Sequence, residues 1–168
     1  MPGLARFKPL KFWLGLVLGC CLVLSAGLAR ALDPAQVDSS MTTDPVPAQH
    51  QLGQQIYLDT CGACHVALPP AVMPTETWRR LIQDSQHYGQ IINPLVDPSR
   101  LLVWNYLQLY SRVGPKEDPI PYRIAESRPF KALHPEVQLP QPLKLESCAT
   151  CHPAAPRFNF RALSPEWQ

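Results

Sequence analysis

Cys61-Gly62-Ala63-Cys64-His65 places two thiols at i and i+3 and an imidazole directly after the second. The same pattern recurs at Cys148-Ala149-Thr150-Cys151-His152, and these four are the only cysteines outside an apolar run near the N-terminus. A Cys-x-x-Cys-His pentad is the attachment signature of a c-type haem. Each thiol can add across one porphyrin vinyl group, and the three-residue step matches the separation of the vinyls. The histidine then falls beneath the ring and offers its imidazole to iron. Two covalent haems are therefore expected, one held by Cys61, Cys64 and His65, the other by Cys148, Cys151 and His152.

Plainer chemistry fits less well. Paired cysteines of a four-cysteine zinc site usually lie about 15–20 residues apart, whereas 87 positions separate Cys61 from Cys148. A redox dithiol would sit beside a βαβ pattern, which neither pair has, and would leave the two following histidines unexplained. A structural disulfide within either pair would close only a very short loop.

Each iron then needs a second axial group or an open position. Met1 and Met41 lie in the leader and the segment after it, and Met73 is only eight residues beyond His65, too close to pass round the ring edge. His50 sits among polar residues and reads as solvent-exposed. His87 and His134 remain, in apolar or amphipathic surroundings, and are the expected distal ligands. His87 lies 22 residues from His65 and 65 from His152; His134 lies 18 from His152 and 69 from His65. Loop-closure entropy favours the local pairings, His65 with His87 and His134 with His152, but rises slowly with length, so a crossed arrangement stays open. Two imidazoles stabilise ferric iron better than one imidazole and a thioether, which lowers the potential and suits electron transfer.

Short helices must position these groups. Leu52, Ile56 and Tyr57 share a face of a helix over 52–60 that runs into the first pentad, with Gly53 allowing a close helix crossing. An apolar Pro-rich loop follows over 66–74. Thr75 is the expected N-cap of a helix carrying Trp78, Leu81, Ile82 and Ser85, stopped by Gly89 and leaving His87 and Tyr88 at its end. Asp97-Pro98 starts a third helix through Tyr110, apolar nearly all round and so expected to be the most buried. Beyond Lys116, prolines at 119, 121, 129, 135, 140 and 142 interrupt helix, with one short helical piece expected over 128–133. The tail carrying Phe158, Phe160 and Trp167 is expected to wrap the second haem. No internal repeat suggests a duplicated domain.

The chain begins with Arg6, Lys8 and Lys11, an uncharged apolar stretch over 12–29, and Ala29-Arg30-Ala31, an A-x-A-like cleavage site. This predicts an export signal over 1–31, or an uncleaved N-terminal membrane anchor, since 18 apolar residues reach the lower edge of a spanning length. Val17-Leu18-Gly19-Cys20 faintly resembles a lipoprotein processing site. A polar, flexible tether is expected over 32–51. Beyond the leader, 11 basic residues face 13 acidic ones, a net charge of −2 that argues against nucleic acid as a partner. With 20 prolines and scattered apolar positions, the chain would bury a poor core alone. Two porphyrins would supply the interior. The expected fold class is mainly α, with a helical first haem part over 52–115 and an irregular, Pro-rich second haem part over 116–168.

Cys61-Gly62-Ala63-Cys64-His65-Val66-Ala67-Leu68-Pro69-Pro70, Trp78-Arg79-Arg80-Leu81 and His87-Tyr88-Gly89 together resemble the dihaem cytochrome c family of bacteria. Tyr122-Arg123-Ile124, Pro129-Phe130, His134 and Cys148-Ala149-Thr150-Cys151-His152 continue the likeness in order, over about 53–160. The resemblance implies two low-potential bis-histidine haems, a first half like a class I cytochrome c and a more irregular second half. Some family members donate electrons to an oxygen-binding monohaem cytochrome or are fused to a membrane cytochrome b. The long Pro-rich tether and arm depart from the family pattern. An electron carrier of the periplasm or thylakoid lumen, without enzymatic turnover, is the leading expectation, with other redox proteins as partners. A small dihaem peroxidase, or a redox or gas sensor with a displaceable histidine, are the alternatives.

Overall fold

The computed structural model describes residues 45–167, so the leader, the possible anchor and most of the tether lie outside the described residues. Helix α1 (Ala48–Cys61) and helix α3 (Ser99–Tyr110) cross as the main packed pair, with the shorter α2 (Thr75–Leu81) against α3. Strands β1 (Gln86–His87) and β2 (Gln90–Ile91) form an antiparallel hairpin between α2 and α3. Two short helices follow, α4 (Arg128–Leu133) and the single turn α5 (Cys148–Cys151), with isolated 3-10 turns between and after them. The architecture is mainly helical.

Gly53 sets the α1–α3 crossing. A Cβ there would run into the Leu102 carbonyl and lie 3.2 Å from Tyr106 Cβ. The close approach lets Tyr57 of α1 reach Tyr106 of α3, Trp78 of α2 and Phe158 of the tail, with ring centres 5.7, 5.9 and 6.3 Å apart. Val103 and Leu107 fill the space beneath them and are fully buried.

The carbonyls of the loop over 66–74 are met partly by backbone amides and partly by side-chain donors from elsewhere in the chain. Tyr57 Oη donates to Leu68 O at 2.6 Å, Trp78 Nε1 to Pro70 O at 2.8 Å and Ser127 Oγ to Val72 O at 2.6 Å. Ser127 also caps α4, accepting from the Phe130 amide at 3.4 Å. One hydroxyl thus ties the Pro-rich second half to the loop after the first pentad.

Several expectations need correction. Helix α1 begins at Ala48 and not at 52, so His50 belongs to the helix. Helix α2 starts at Thr75 itself and ends at Leu81; Thr75 Oγ1 meets Ser111 Oγ at 2.8 Å and caps nothing. The chain then turns into the hairpin, because Tyr88 and Gly89 take φ of 53° and 91°, the left-handed pair of a tight hairpin turn. His87 is therefore a strand residue and not a helix-end residue. Helix α3 begins at Ser99, with Asp97 paired to Arg100 at 2.9 Å and not acting as its cap. It buries one face only; Leu101 and Leu109 are about half exposed at 50% and 47%. The short piece at 128–133 forms as expected.

Candidate functional site

The first pentad spans the end of α1 and the turn after it. Cys61 closes the helix, Gly62 donates its amide back to Leu58 O at 2.9 Å, and His65 follows in the turn. A Cβ on Gly62 would lie 2.5 Å from the Leu58 carbonyl, which restricts this place in the pentad to glycine. The second pentad is itself a single helical turn, Cys148–Cys151, closed by the His152 amide donating to Cys148 O at 2.9 Å. In both, the two thiols are three residues apart and the pentad makes an i to i−4 backbone bond.

The structure brings the four expected axial histidines together in two pairs. His65 and His87 have ring centres 6.1 Å apart and planes within 10° of parallel. His134 and His152 have ring centres 6.2 Å apart and planes crossed at 89°. Rings in face contact lie roughly 3.5–4 Å apart, so neither pair is stacked. An imidazole nitrogen binds a transition metal at about 2 Å, and the ring centre lies about 1 Å further back, so two imidazoles on one metal have centres about 6 Å apart. Both separations match that arrangement. His50 joins neither pair. Met73 is fully buried in the apolar core, 1% exposed, and its sulfur is packing material.

Hydrogen bonds at the rings fit metal ligation. His65 Nδ1 lies 2.9 Å from Val66 O, and His134 Nδ1 lies 2.8 Å from Phe130 O. Donation from Nδ1 to these carbonyls leaves Nε2 with its lone pair, the usual arrangement of a metal-bound histidine. His87 and His152 each bury an Nδ1 with no hydrogen-bond partner. A buried ring nitrogen without a partner carries a desolvation cost. Burial lowers the pKa of His87, and the neighbouring His65 lowers it further. Burial also lowers that of His152, against the Phe160 backbone, which lies near enough to favour the charged ring although outside hydrogen-bond geometry. Both shifts favour the neutral imidazole, the form that binds iron.

Cys61 and Cys148 lack the activation of a redox thiol. Burial pushes the Cys61 thiol up to about 11 and raises Cys148 as well, the opposite of an activated thiolate. Among the described residues, no three His, Cys, Asp or Glu side chains gather as a metal site of their own. The two cysteine pairs stay apart, each beside its own histidine pair, and the donor set fits two haems.

A cavity of about 330 Å³ is lined by His65, Leu58 and Ala67 from the first half and by Ala155, Arg157 and Phe158 from beyond the second pentad. The chain just after the second pentad therefore lines the space beside the first proximal histidine. The tail does not simply wrap the second site: Phe158 enters the core against Tyr57, Phe160 lies against His152 with ring centres 5.6 Å apart, and Trp167 is 47% exposed.

Sequence reasoning missed Ser127 and the backing of the histidines by Phe130 and Tyr88. Ser127-Arg128-Pro129 did carry a signal, a serine cap followed by proline in the first turn.

The family model for dihaem cytochrome c matches residues 57–160. Among solved structures, a diheme cytochrome c from Rhodobacter sphaeroides is similar, at 27% identity over 71% of this chain and 100% of that one, with a TM-score of 0.49. No curated protein sequence matches.

Proposed function

The chain belongs to the dihaem cytochrome c family, and from that premise we propose that it is a low-potential electron-transfer protein with two bis-histidine haems. As a member of that family it carries two covalently bound haem c groups. Cys61 and Cys64 hold the first, ligated by His65 and His87. Cys148 and Cys151 hold the second, ligated by His152 and His134. Bound haem supplies a one-electron iron couple. The protein supplies two nitrogens per iron and backbone carbonyls that orient His65 and His134.

The observation that carries this reading is the pair of ring separations, 6.1 and 6.2 Å. Two imidazole nitrogens on each iron would leave no place there for oxygen or peroxide, which favours a carrier over an enzyme or a gas sensor. Low-spin iron with two fixed ligands changes little in geometry on reduction, which suits fast exchange of electrons. The chain that follows the second pentad lines the cavity beside His65, which favours transfer between the two haems inside one chain. Helix α1, leading straight into the first pentad, supports a class I-like first half. Export to the periplasm or a thylakoid lumen follows from the leader and from where c-type haems are attached. Other redox proteins, a monohaem cytochrome or a membrane cytochrome b, are the proposed partners. The test is a CO-difference spectrum of the reduced protein at neutral pH. No CO complex is expected; stoichiometric CO binding, or peroxidase turnover with small substrates, would overturn the reading.

A further inference from the structure

We infer that the two histidine pairs hold their irons in different electronic states, and that Phe130 and Phe160 are positioning residues that keep the second pair crossed. The inference rests on the ligand assignment above. Its starting point is the contrast between planes 10° apart in the first pair and 89° apart in the second.

The crossed pair is braced on both sides. His134 Nδ1 donates to Phe130 O at 2.8 Å, and the buried Phe130 ring lies against the imidazole, centres 4.3 Å apart. These two contacts fix the turn of His134 about its own axis. His152 is backed by Phe160, with planes 58° apart. Phe160 in turn meets Phe158 edge-on at 5.9 Å and 88°. Phe158 takes φ of 58°, a left-handed conformation that a bulky side chain adopts only where its surroundings impose it. Here the imposing contact is Tyr57, which draws the Phe158 ring into the core and leaves Phe160 facing His152. The first pair has a different brace. His87 meets Tyr88 at 4.9 Å, and Tyr88 is held by Tyr122 through its amide, at 2.8 Å, and its ring.

The orientation matters because low-spin ferric iron has one hole shared between two d orbitals that overlap imidazole π orbitals. Parallel imidazoles act on the same orbital, split the two in energy and stabilise the ferric state. Crossed imidazoles act on one orbital each and leave the two nearly level, so the ferric state loses that stabilisation. The second site is then the easier to reduce. One electron from a one-electron donor converts its iron from ferric to ferrous with no bond made or broken, and that electron rests at the second site before the first is filled.

Low-temperature electron paramagnetic resonance of the fully oxidised holoprotein tests this. Two signals of equal spin count are expected, one rhombic and one with a single strongly shifted low-field feature. On stepwise reduction with dithionite and mediators, the low-field feature should disappear first; disappearance after the rhombic signal would overturn the order of filling. Phe160→Leu should convert the low-field feature to a rhombic one and leave the other signal in place, whereas Phe160→Tyr, which keeps the ring, should preserve it. An unchanged low-field feature in Phe160→Leu would remove Phe160 from its positioning role. Two rhombic low-spin signals in the native protein would overturn the inference alone. A high-spin signal there would overturn the ligand assignment beneath it as well.

Discussion

Among the described residues, nine of the eleven that pack into the main buried cluster lie before residue 115, with Phe130 and Phe158 from beyond it. The first half packs on itself: α1 against α3 at Gly53, Tyr57 among three aromatic rings, and loop carbonyls met by side-chain donors. The second half has only short helices and 3-10 turns among its prolines, and it buries Ser127, Phe130 and Phe158 against the first half. Six prolines between 119 and 142 remove backbone donors, so no long element can form there. The difference teaches that the two haems do unequal structural work. The first haem would then be added to a core that the first half already packs, whereas the second would stand in for a core that the second half largely lacks.

The strongest way to break this comparison is to remove one attachment at a time. Cys148→Ala with Cys151→Ala should leave the first haem and the α1–α3 pair in place while residues beyond 116 become open to protease. Limited proteolysis with mass spectrometry reads this directly. Equal loss of order in both halves would show that the second half depends on more than its haem.

Single-ligand changes sharpen the comparison at the irons. His87→Ala and His134→Ala should each turn one haem of two high-spin and CO-reactive, read as half the total haem in a CO-difference spectrum. His87→Ala should leave the crossed pair untouched, and His134→Ala the parallel one. Spectra unchanged in both variants would defeat the ligand assignment.

Smaller effects are expected from the packing residues. Gly53→Ala forces a Cβ against the Leu102 backbone and should cost about 1–3 kcal/mol, read as a lower thermal midpoint. Ser127→Ala strips a partner from the buried Val72 carbonyl and the cap from α4, and should cost a comparable amount, about 1–3 kcal/mol. Gly53→Ala should act on the first half, and Ser127→Ala should raise protease access beyond 116 first.

Acid should separate the two sites least. His87 and His152 both have a folded pKa lowered from 6.5, burial being the larger cause in each. A histidine whose folded pKa is depressed favours the folded, neutral state: its contribution is complete above about pH 6.5 and is lost as pH falls through the folded value. The low-spin spectrum should therefore hold from pH 8 to about 6.5 and fade only below it, at both sites in an optical titration. Loss of one site well before the other would show that the two pairs are not equally sheltered from protons.

Much of the site was legible because it is local. Two thiols and a histidine within one turn of chain define their chemistry by spacing alone, whatever surrounds them. The short helix at 128–133 was legible for the same reason, and so was Gly53 as a crossing point. Local rules failed where a distant segment decided the outcome. Helical spacing at Trp78, Leu81, Ile82 and Ser85 suggested a helix reaching His87, but Tyr122 receives the Tyr88 amide and the chain closes a hairpin instead. The apolar α3 keeps one face open because, among the described residues, α1, α2 and the loop turn at Pro70–Val72 are what pack substantially against it. The sequence by itself determined which residues can hold two haems, since covalent spacing and donor type are properties of the chain. Only the tertiary structure decided which histidines face each other and at what angle, because the turn of a ring is set by contacts such as Phe130 on His134 and Phe160 on His152, and each of those is one outcome of how the whole chain packs.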